Sequence, residues 1–266
     1  MSAHKPESRR LGRVTPLLEM VRARLRQGRQ THPFPDALPA LPARFRGRPV
    51  LSPDRCRDGC RACADACPVE AIALDPLRLD LGACLFCPRC AEACPEGAIA
   101  FGRDHRLAAS SRAELTVERD EVALARALSA EMLRVYGRSL KLRQVSAGGC
   151  NACEAELNVL GNVVFDLGRF GIQFVASPRH ADGIVVTGPV TEAMRPALLQ
   201  TWEAVPAPRV AIAVGACAIA GGPFRGEGTH GNGMPAEIPV DLWIPGCPPH
   251  PFTLLDGLLR LLGRIR

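Results

Sequence analysis

Twelve cysteines in a chain of 266 residues are the side chains best placed to do chemistry. Eight fall in two short runs, Cys56-x3-Cys60-x2-Cys63-x3-Cys67-Pro68 and Cys84-x2-Cys87-x2-Cys90-x3-Cys94-Pro95. Thiolates two or three residues apart on a tight loop can wrap one face of an iron–sulfur cubane. The remaining iron then needs a ligand from elsewhere. Zinc also takes four thiolates, but zinc ribbons pair knuckles of two cysteines each, not four-cysteine runs that each end in Cys-Pro. The other four thiols are Cys150, Cys153, Cys217 and Cys247, and with them no cysteine is left over. Their spacing favours a third cluster over a zinc site or buried free thiols.

The second run matches the bacterial ferredoxin pattern, in which the fourth cysteine ligates the other cluster. One cluster is therefore expected on Cys56, Cys60, Cys63 and Cys94, and a second on Cys84, Cys87, Cys90 and Cys67. The first run departs from the pattern by one residue, because three residues separate Cys56 from Cys60. The extra residue should bulge that loop and still leave four ligands. An internal repeat underlies the pair. Residues 63–74 align with residues 90–101, and eight of the twelve positions are identical. Ala64, Ala66, Ala91 and Ala93 are small enough to let backbone N–H groups reach the cluster sulfurs. Ile72 and Ile99 occupy matching places and are expected to seal the clusters from water.

Four zones must position these thiols. Residues 1–50 form a basic arm, with a short amphipathic helix over 16–27 and then a proline-rich run. Residues 51–105 form the eight-cysteine domain. Residues 106–141 are a polar linker followed by a helix, in which Leu124, Leu128, Met132 and Val135 mark one face at helical spacing. Residues 142–266 alternate β-branched runs (142–146, 172–176, 184–187, 210–214 and 240–244) with helical stretches (154–170, 192–204 and 252–262). That alternation predicts a parallel sheet with helices on both faces. Cys150 and Cys153, Cys217 and Cys247 each follow one of these strands. Ligands bind outside the carboxyl ends of such strands, so all four thiols are expected at one edge of the sheet.

Composition limits the alternatives. The chain is 47% hydrophobic with a net charge of +6, enough apolar material for a core. No apolar run reaches the ~18 residues of a membrane span. Residues 1–55 hold twelve Lys or Arg against four acids, so the basic excess lies in the leader. Without aromatic–basic interleaving, that leader reads as a solvated arm, or one that docks onto protein or an anionic membrane surface, and not as a nucleic-acid surface. Arg9-Arg10 opens like a twin-arginine signal, but Glu19, Arg22, Arg24 and Arg26 interrupt the apolar stretch such a signal needs. A reducing cytoplasm is expected, where clustered cysteines point to metal and not to disulfides.

Beyond the spacing, two resemblances are carried by specific stretches. Gly149-Cys150-Asn151-Ala152-Cys153-Glu154-Ala155-Glu156, Ser177-Pro178-Arg179-His180-Ala181-Asp182, Val186-Thr187-Gly188-Pro189-Val190-Thr191, Gly215-Ala216-Cys217 and Ile244-Pro245-Gly246-Cys247-Pro248-Pro249 resemble the small subunit of energy-converting [NiFe] hydrogenases and the related 20 kDa subunit of respiratory complex I. Residues 28–118, through Thr31-His32-Pro33-Phe34-Pro35, Phe45-Arg46-Gly47-Arg48-Pro49 and the cysteine runs, resemble the ferredoxin-like subunit of formate hydrogenlyase, related to the complex I 23 kDa subunit. The chain thus resembles two neighbouring subunits fused end to end.

The resemblance implies an α+β ferredoxin-like domain with two [4Fe–4S] clusters, joined to an α/β flavodoxin-like domain carrying a third. It implies electron transfer through three [4Fe–4S] clusters to or from a hydrogenase-type large subunit, beside membrane subunits of the same complex. The chain would then be cytoplasmic and peripheral on the inner face of the cell membrane, with no catalytic centre of its own and no nucleic-acid partner. Cys150-x2-Cys153 sides with hydrogenase small subunits, since complex I proteins usually have adjacent cysteines there. Ala218 stands where the family often has Gly. Glu156 matches a common acidic residue; it reads either as a proton relay or as an acid favoured by a helix N-terminus. Arg179 and His180 fit the family's loop and read as structural. Competing readings are a complex I-like quinone-reducing or nickel-free assembly, a soluble ferredoxin-like carrier, and a zinc scaffold.

Overall fold

The computed structural model describes residues 16–226 and 228–265. Arg9-Arg10 and the start of the basic leader lie outside them. Helix α1 (Pro16–Gln27) packs nothing: Leu17, Leu18, Met20, Val21 and Leu25 are all exposed. The first cysteine-bearing half contains β1 (Pro49–Leu51), α2 (Ala62–Asp65), β2 (Ile72–Ala73), β3 (Arg78–Asp80), α3 (Arg89–Ala93) and β4 (Ile99–Phe101). The repeat is visible here, because α2 then β2 and α3 then β4 follow each other at matching positions. β1 pairs antiparallel with β4, and Ile72 and Ile99 are both buried.

The segment expected to be a linker does more than connect. Its β5 (Thr116–Val117) pairs with β3, which pairs in turn with β2. Ala109 exchanges backbone hydrogen bonds with Trp243, and Ala125 donates to the Ala108 carbonyl. Helix α4 (Ala130–Tyr136) begins only at Ser129, whose hydroxyl accepts from the Met132 amide. Leu124 and Leu128 therefore lie in extended chain ahead of it, and the helical stripe read across them is wrong. The stretch bonds to neighbouring chain instead, with Leu128 donating to the Leu261 carbonyl.

The second half contains β6 (Leu140–Ser146), α5 (Ala152–Val159), β7 (Ile172–Phe174), β8 (Gly183–Thr187), α6 (Arg195–Ala204), β9 (Val210–Val214), α7 (Gly215–Ala220), β10 (Leu242–Ile244) and α8 (Pro251–Leu261). The five strands form one parallel sheet in the order β10-β9-β8-β6-β7. This is the flavodoxin-like order 2-1-3-4-5. Alternate residues of each strand face opposite cores. Leu142, Val185 and Ile212 pack with α5 and α8, while Ile184, Val186 and Ala211 pack with Leu198 and Trp202 of α6.

The helix expected over 154–170 stops at Val159. Asn162 turns the chain by accepting from the Val164 and Phe165 amides, and Asp166 adopts a left-handed φ of +47°. A short 3-10 turn, Leu167–Phe170, completes the stretch. Helix α8 is buried throughout, and it is opened by His250, whose Nδ1 accepts from the Phe252 amide at 3.2 Å. Its Asp256 and Arg260 form a buried pair one turn apart at 2.8 Å. The proline-rich arm lies across this half. His32 donates to the Val164 carbonyl, Arg169 donates back to the His32 and Phe34 carbonyls, and both arm rings meet Phe252.

His105 is sealed between the arm and α8, 5.8 Å from the Phe34 ring, and its Nε2 has no hydrogen-bond partner among the described residues. Burial lowers its pKa, against the opposing pull of Asp256 and Asp104. A depressed folded pKa means that the unfolded chain binds the proton more readily. The stability this group contributes is therefore present above the unfolded value of about 6.5 and lost as pH falls below it. Urea midpoints measured from pH 8 down to pH 5 should fall, and His105→Gln should fall less.

Candidate functional site

The twelve cysteines form no disulfides and fall into three groups of four. Cys56, Cys60, Cys63 and Cys94 line one closed cavity with Leu77, Ala98 and Ile99. Cys84 is influenced electrostatically by Cys90, Cys67 and Cys87. Cys153 is influenced by Cys217, Cys247 and Cys150. The fourth cysteine of each run therefore sits with the other run. Cys94 lies beside Cys56 and Cys63, and Cys67 beside Cys84 and Cys90.

Why the chain makes these groups is legible locally. Helices α2 and α3 start within each run and turn Cys63 and Cys90 inward, where both are buried. The chain then bends at Cys-Pro, and a backbone amide returns to the sulfur. Ala71 donates to Cys67 Sγ and Ala98 to Cys94 Sγ, both at 3.2 Å and at matching places in the repeat. Phe86 donates to Cys84 Sγ at 3.3 Å. Such N–H···S bonds favour the more negatively charged state of a sulfur site.

The third group lies at the carboxyl edge of the sheet. Cys150 and Cys153 follow β6, Cys217 sits in α7 directly after β9, and Cys247 follows β10. Cys150 and Cys247 are exposed; Cys217 is buried. Two close approaches demand glycine. Gly149 and Gly188 meet backbone to backbone, so a Cβ on Gly188 would lie 2.5 Å from the Gly149 nitrogen. Gly215 has φ +86°, and its Cβ would lie 2.5 Å from Cys153 Sγ.

Burial is the first cause of the raised thiol pKa values, pushing Cys84 up to about 12 and Cys90 and Cys217 up to about 11. Neighbouring thiols push them further in the same direction. Protons leave such sulfurs only when a cation replaces them. Among the described residues no three His, Cys, Asp or Glu side chains converge on a single ion. Cys56, Cys60, Cys63 and Cys94 line a cavity together, an arrangement that suits a multi-iron group.

The groups are also ordered. Cys247 of the third is exposed as a residue, yet packing around its sulfur raises its pKa first, then Cys150 and Cys87 of the second do so. One cavity is lined jointly by Phe86, Cys247, Arg44, Arg46, His250 and Glu156. Glu156 is half-buried, and burial raises its pKa. Arg179 and His180 lie in a 3-10 turn ahead of β8, at the amino end of that strand and away from the thiols. Ala218 is fully buried in the core shared with the first half.

Sequence reasoning passed over Glu154. It is buried, and its Oε1 accepts from Ser146 Oγ at 2.6 Å and Thr187 Oγ1 at 2.7 Å. The signal was available, since two hydroxyl residues end neighbouring strands directly beneath an acid in the first turn of α5.

Two family matches accord with this geometry. Residues 150–261 match the NADH ubiquinone oxidoreductase 20 kDa subunit family, and residues 55–98 match a 4Fe-4S dicluster domain. A probable membrane-bound hydrogenase subunit, mbhJ, of Pyrococcus furiosus is 37% identical over 136 residues, covering 51% of this chain and 81% of the relative. The chain belongs to the 20 kDa subunit family. Formate hydrogenlyase subunit 7 of Escherichia coli is 43% identical over 136 residues, 51% of this chain and 53% of that protein. The match thus spans about half the length of that relative. An NADH-quinone oxidoreductase subunit of Heliobacterium modesticaldum is 42% identical over 121 residues, 45% of this chain and 69% of the relative. Family member and dicluster domain share one polypeptide here.

Glu154 ties α5 to two strands of the sheet, so its loss should be felt in stability. Glu154→Ala takes the Glu154 acceptor from the buried Thr187 hydroxyl and from the Ser146 hydroxyl, and should cost about 1–3 kcal/mol by urea unfolding. Glu154→Gln keeps an acceptor oxygen and should cost less.

Proposed function

We propose that this chain is an electron-relay subunit that holds three [4Fe–4S] clusters in line. The partner would be the large catalytic subunit of a membrane-associated [NiFe] hydrogenase or formate hydrogenlyase-type complex. The observation that carries the reading is the placement of the thiols: Cys94 and Cys67 cross between the first two groups, and Cys87 of the second lies near Cys247 of the third. When bound, each cluster would accept and release one electron. The ligands would be Cys56, Cys60, Cys63 and Cys94 for the first, Cys67, Cys84, Cys87 and Cys90 for the second, and Cys150, Cys153, Cys217 and Cys247 for the third.

The chain's own residues would do three things. Cysteines from separate segments fix the spacing of the groups. Ile72, Ile99, Leu77 and Phe86 exclude water from the first two. The amides of Ala71, Ala98 and Phe86 stabilise added negative charge on sulfur. The third group, with Cys150 and Cys247 exposed at the sheet edge, is the face we assign to the large subunit. Glu156, half-buried beside Cys247, is assigned a proton-relay role there.

Among the described residues no helix is long and apolar enough to cross a membrane. We therefore assign membrane seating to membrane subunits of the same complex, on the inner face of the cell membrane. The division of the chain at residues 50, 105 and 141 into arm, dicluster domain, connector and 20 kDa-like domain belongs to the same proposal, as does an origin by fusion of two subunits. A complex I-like quinone-reducing assembly is the second reading, supported by the NADH-quinone oxidoreductase relatives. The Cys150-x2-Cys153 pair supports the hydrogenase type.

Anaerobically purified protein should carry about twelve irons and twelve acid-labile sulfides, four of each per cubane. Mainly zinc, or eight irons, would remove the three-cluster assignment. Cys94→Ser should damage the cluster of Cys56, Cys60 and Cys63 and spare that of Cys84, Cys87 and Cys90, as read by paramagnetic resonance of the reduced protein. Gly215→Ala should displace the Cys153 thiol and cost the third cluster alone, leaving about eight irons.

A further inference from the structure

The two repeats meet the same backbone demand in different ways. In the first, Gly59 has φ +71° in the loop between Cys56 and Cys60. Twenty-seven positions later Phe86 takes the same place between Cys84 and Cys87, with φ +54°. Glycine enters that region at no steric cost; a bulky residue does not, and needs surroundings that hold it. Gly59 has no heavy atom within 4 Å of where a side chain would start, so nothing holds it and nothing needs to. Phe86 is held at both ends of its own backbone. Its amide donates to Cys84 Sγ at 3.3 Å, and its carbonyl accepts from Arg46 Nε at 2.5 Å.

Arg46 is itself fixed. Ahead of it, the Phe45 ring meets His250 edge-on at 5.3 Å. Behind it, Gly47 donates to the Gly102 carbonyl and Arg48 to the Asp104 carbonyl. A Cβ on Gly47 would lie 2.2 Å from the Asp104 oxygen, so the arm is pressed against the chain that follows β4. The guanidinium therefore reaches into the cavity that Phe86 and Cys247 line together, between the second and third thiol groups.

We propose that Arg46 is a positioning and charge-setting residue for the second cluster, clamping Phe86 so that its amide stays on Cys84 and placing a permanent cation between the second and third clusters. This rests on the three-cluster reading above. One-electron reduction adds a negative charge to a cluster. A cation nearby and an N–H donor on sulfur both favour that charge, so both raise the reduction potential. Arginine keeps its charge at every accessible pH. The second cluster feels both effects, the third only the charge, and the first neither.

The test is a potentiometric titration of the anaerobic full chain, each cluster followed by its paramagnetic signal. Arg46→Gln should move the second cluster's midpoint to more negative potential, the third's by less, and leave the first in place. Arg46→Lys, which keeps the charge, should move the second by less than Gln does. Arg44→Gln, which removes a cation from the same cavity but touches no carbonyl of Phe86, should move the second cluster by less than Arg46→Gln does. In a Phe86→Gly background, where the positive φ needs no clamp, Arg46→Gln should produce a smaller shift. An unmoved second midpoint, equal shifts at all three clusters, or a full shift persisting with Phe86→Gly would overturn the clamp. A wild-type chain with no second or third signal would instead overturn the cluster reading, and the clamp with it.

Discussion

Thiols packed four to a site in apolar surroundings set the terms for the rest of this structure. Each buried sulfur resists ionisation, and its three neighbours add to that resistance. Cys84 shows the combination most plainly, with its thiol pushed up to about 12 first by burial and then by Cys90, Cys67 and Cys87. A chain that gathers such groups needs something cationic at the centre and hydrogen-bond donors around the rim. The donors are backbone amides at repeated positions, Ala71 and Ala98, which any sequence supplies if the turn after Cys-Pro is tight enough. The small side chains at those positions are what keep it tight.

The same requirement explains why the two halves are one body. The core of the dicluster half continues into the sheet half through Ala213, Ala218, Ile219 and Trp243. The connector adds Ala109 to the edge of β10, and the arm crosses both halves, from Phe34 on Phe252 to Arg46 on Phe86. Two bodies joined by a loose tether would let the second and third thiol groups drift apart. Electron tunnelling between them needs a fixed, short and dry gap. The proline-rich arm, read in sequence only as a basic arm, bonds to both halves, through Arg46 on Phe86 and through His32 and Phe34 on Arg169.

Much of this was legible from residue patterns, and the exceptions have physical causes. The strand 210–214 and the helix 16–27 coincide with the structure because each is bounded by strong signals, Pro and Gly at the strand's flanks and Pro16 at the helix start. The swapped fourth cysteines follow from the ferredoxin-type spacing, and the structure does bring Cys94 and Cys67 to the opposite groups. The helix read over 154–170 ends eleven residues early, because Asn162 offers the backbone an alternative acceptor that apolar periodicity does not register. The stripe 124–135 fails for a related reason: ahead of α4, Leu128 bonds to the distant Leu261 carbonyl, which no local pattern records. Glu156 drew attention through its family position, whereas Glu154 carries the hydrogen bonds. The two acids lie on different faces of α5, and only the sheet beneath decides which is buried.

The distribution of exposure along the three groups bears on what the assembly can do. Cys84 and Cys90 of the middle group are buried, while Cys56 and Cys60 of the first are half-buried beside the open loop of Gly59. Cys150 and Cys247 of the third are exposed at the sheet edge. The third group is therefore the most open of the three, and the middle group has two of its thiols buried. A storage protein would gain nothing from that arrangement, because every exposed end invites oxidation. The proposed relay would use it, since the exposed third group offers a face for exchanging electrons with a partner. Where the first repeat has Gly59, the second has the buried Phe86 at a positive φ, with Arg46 on its carbonyl.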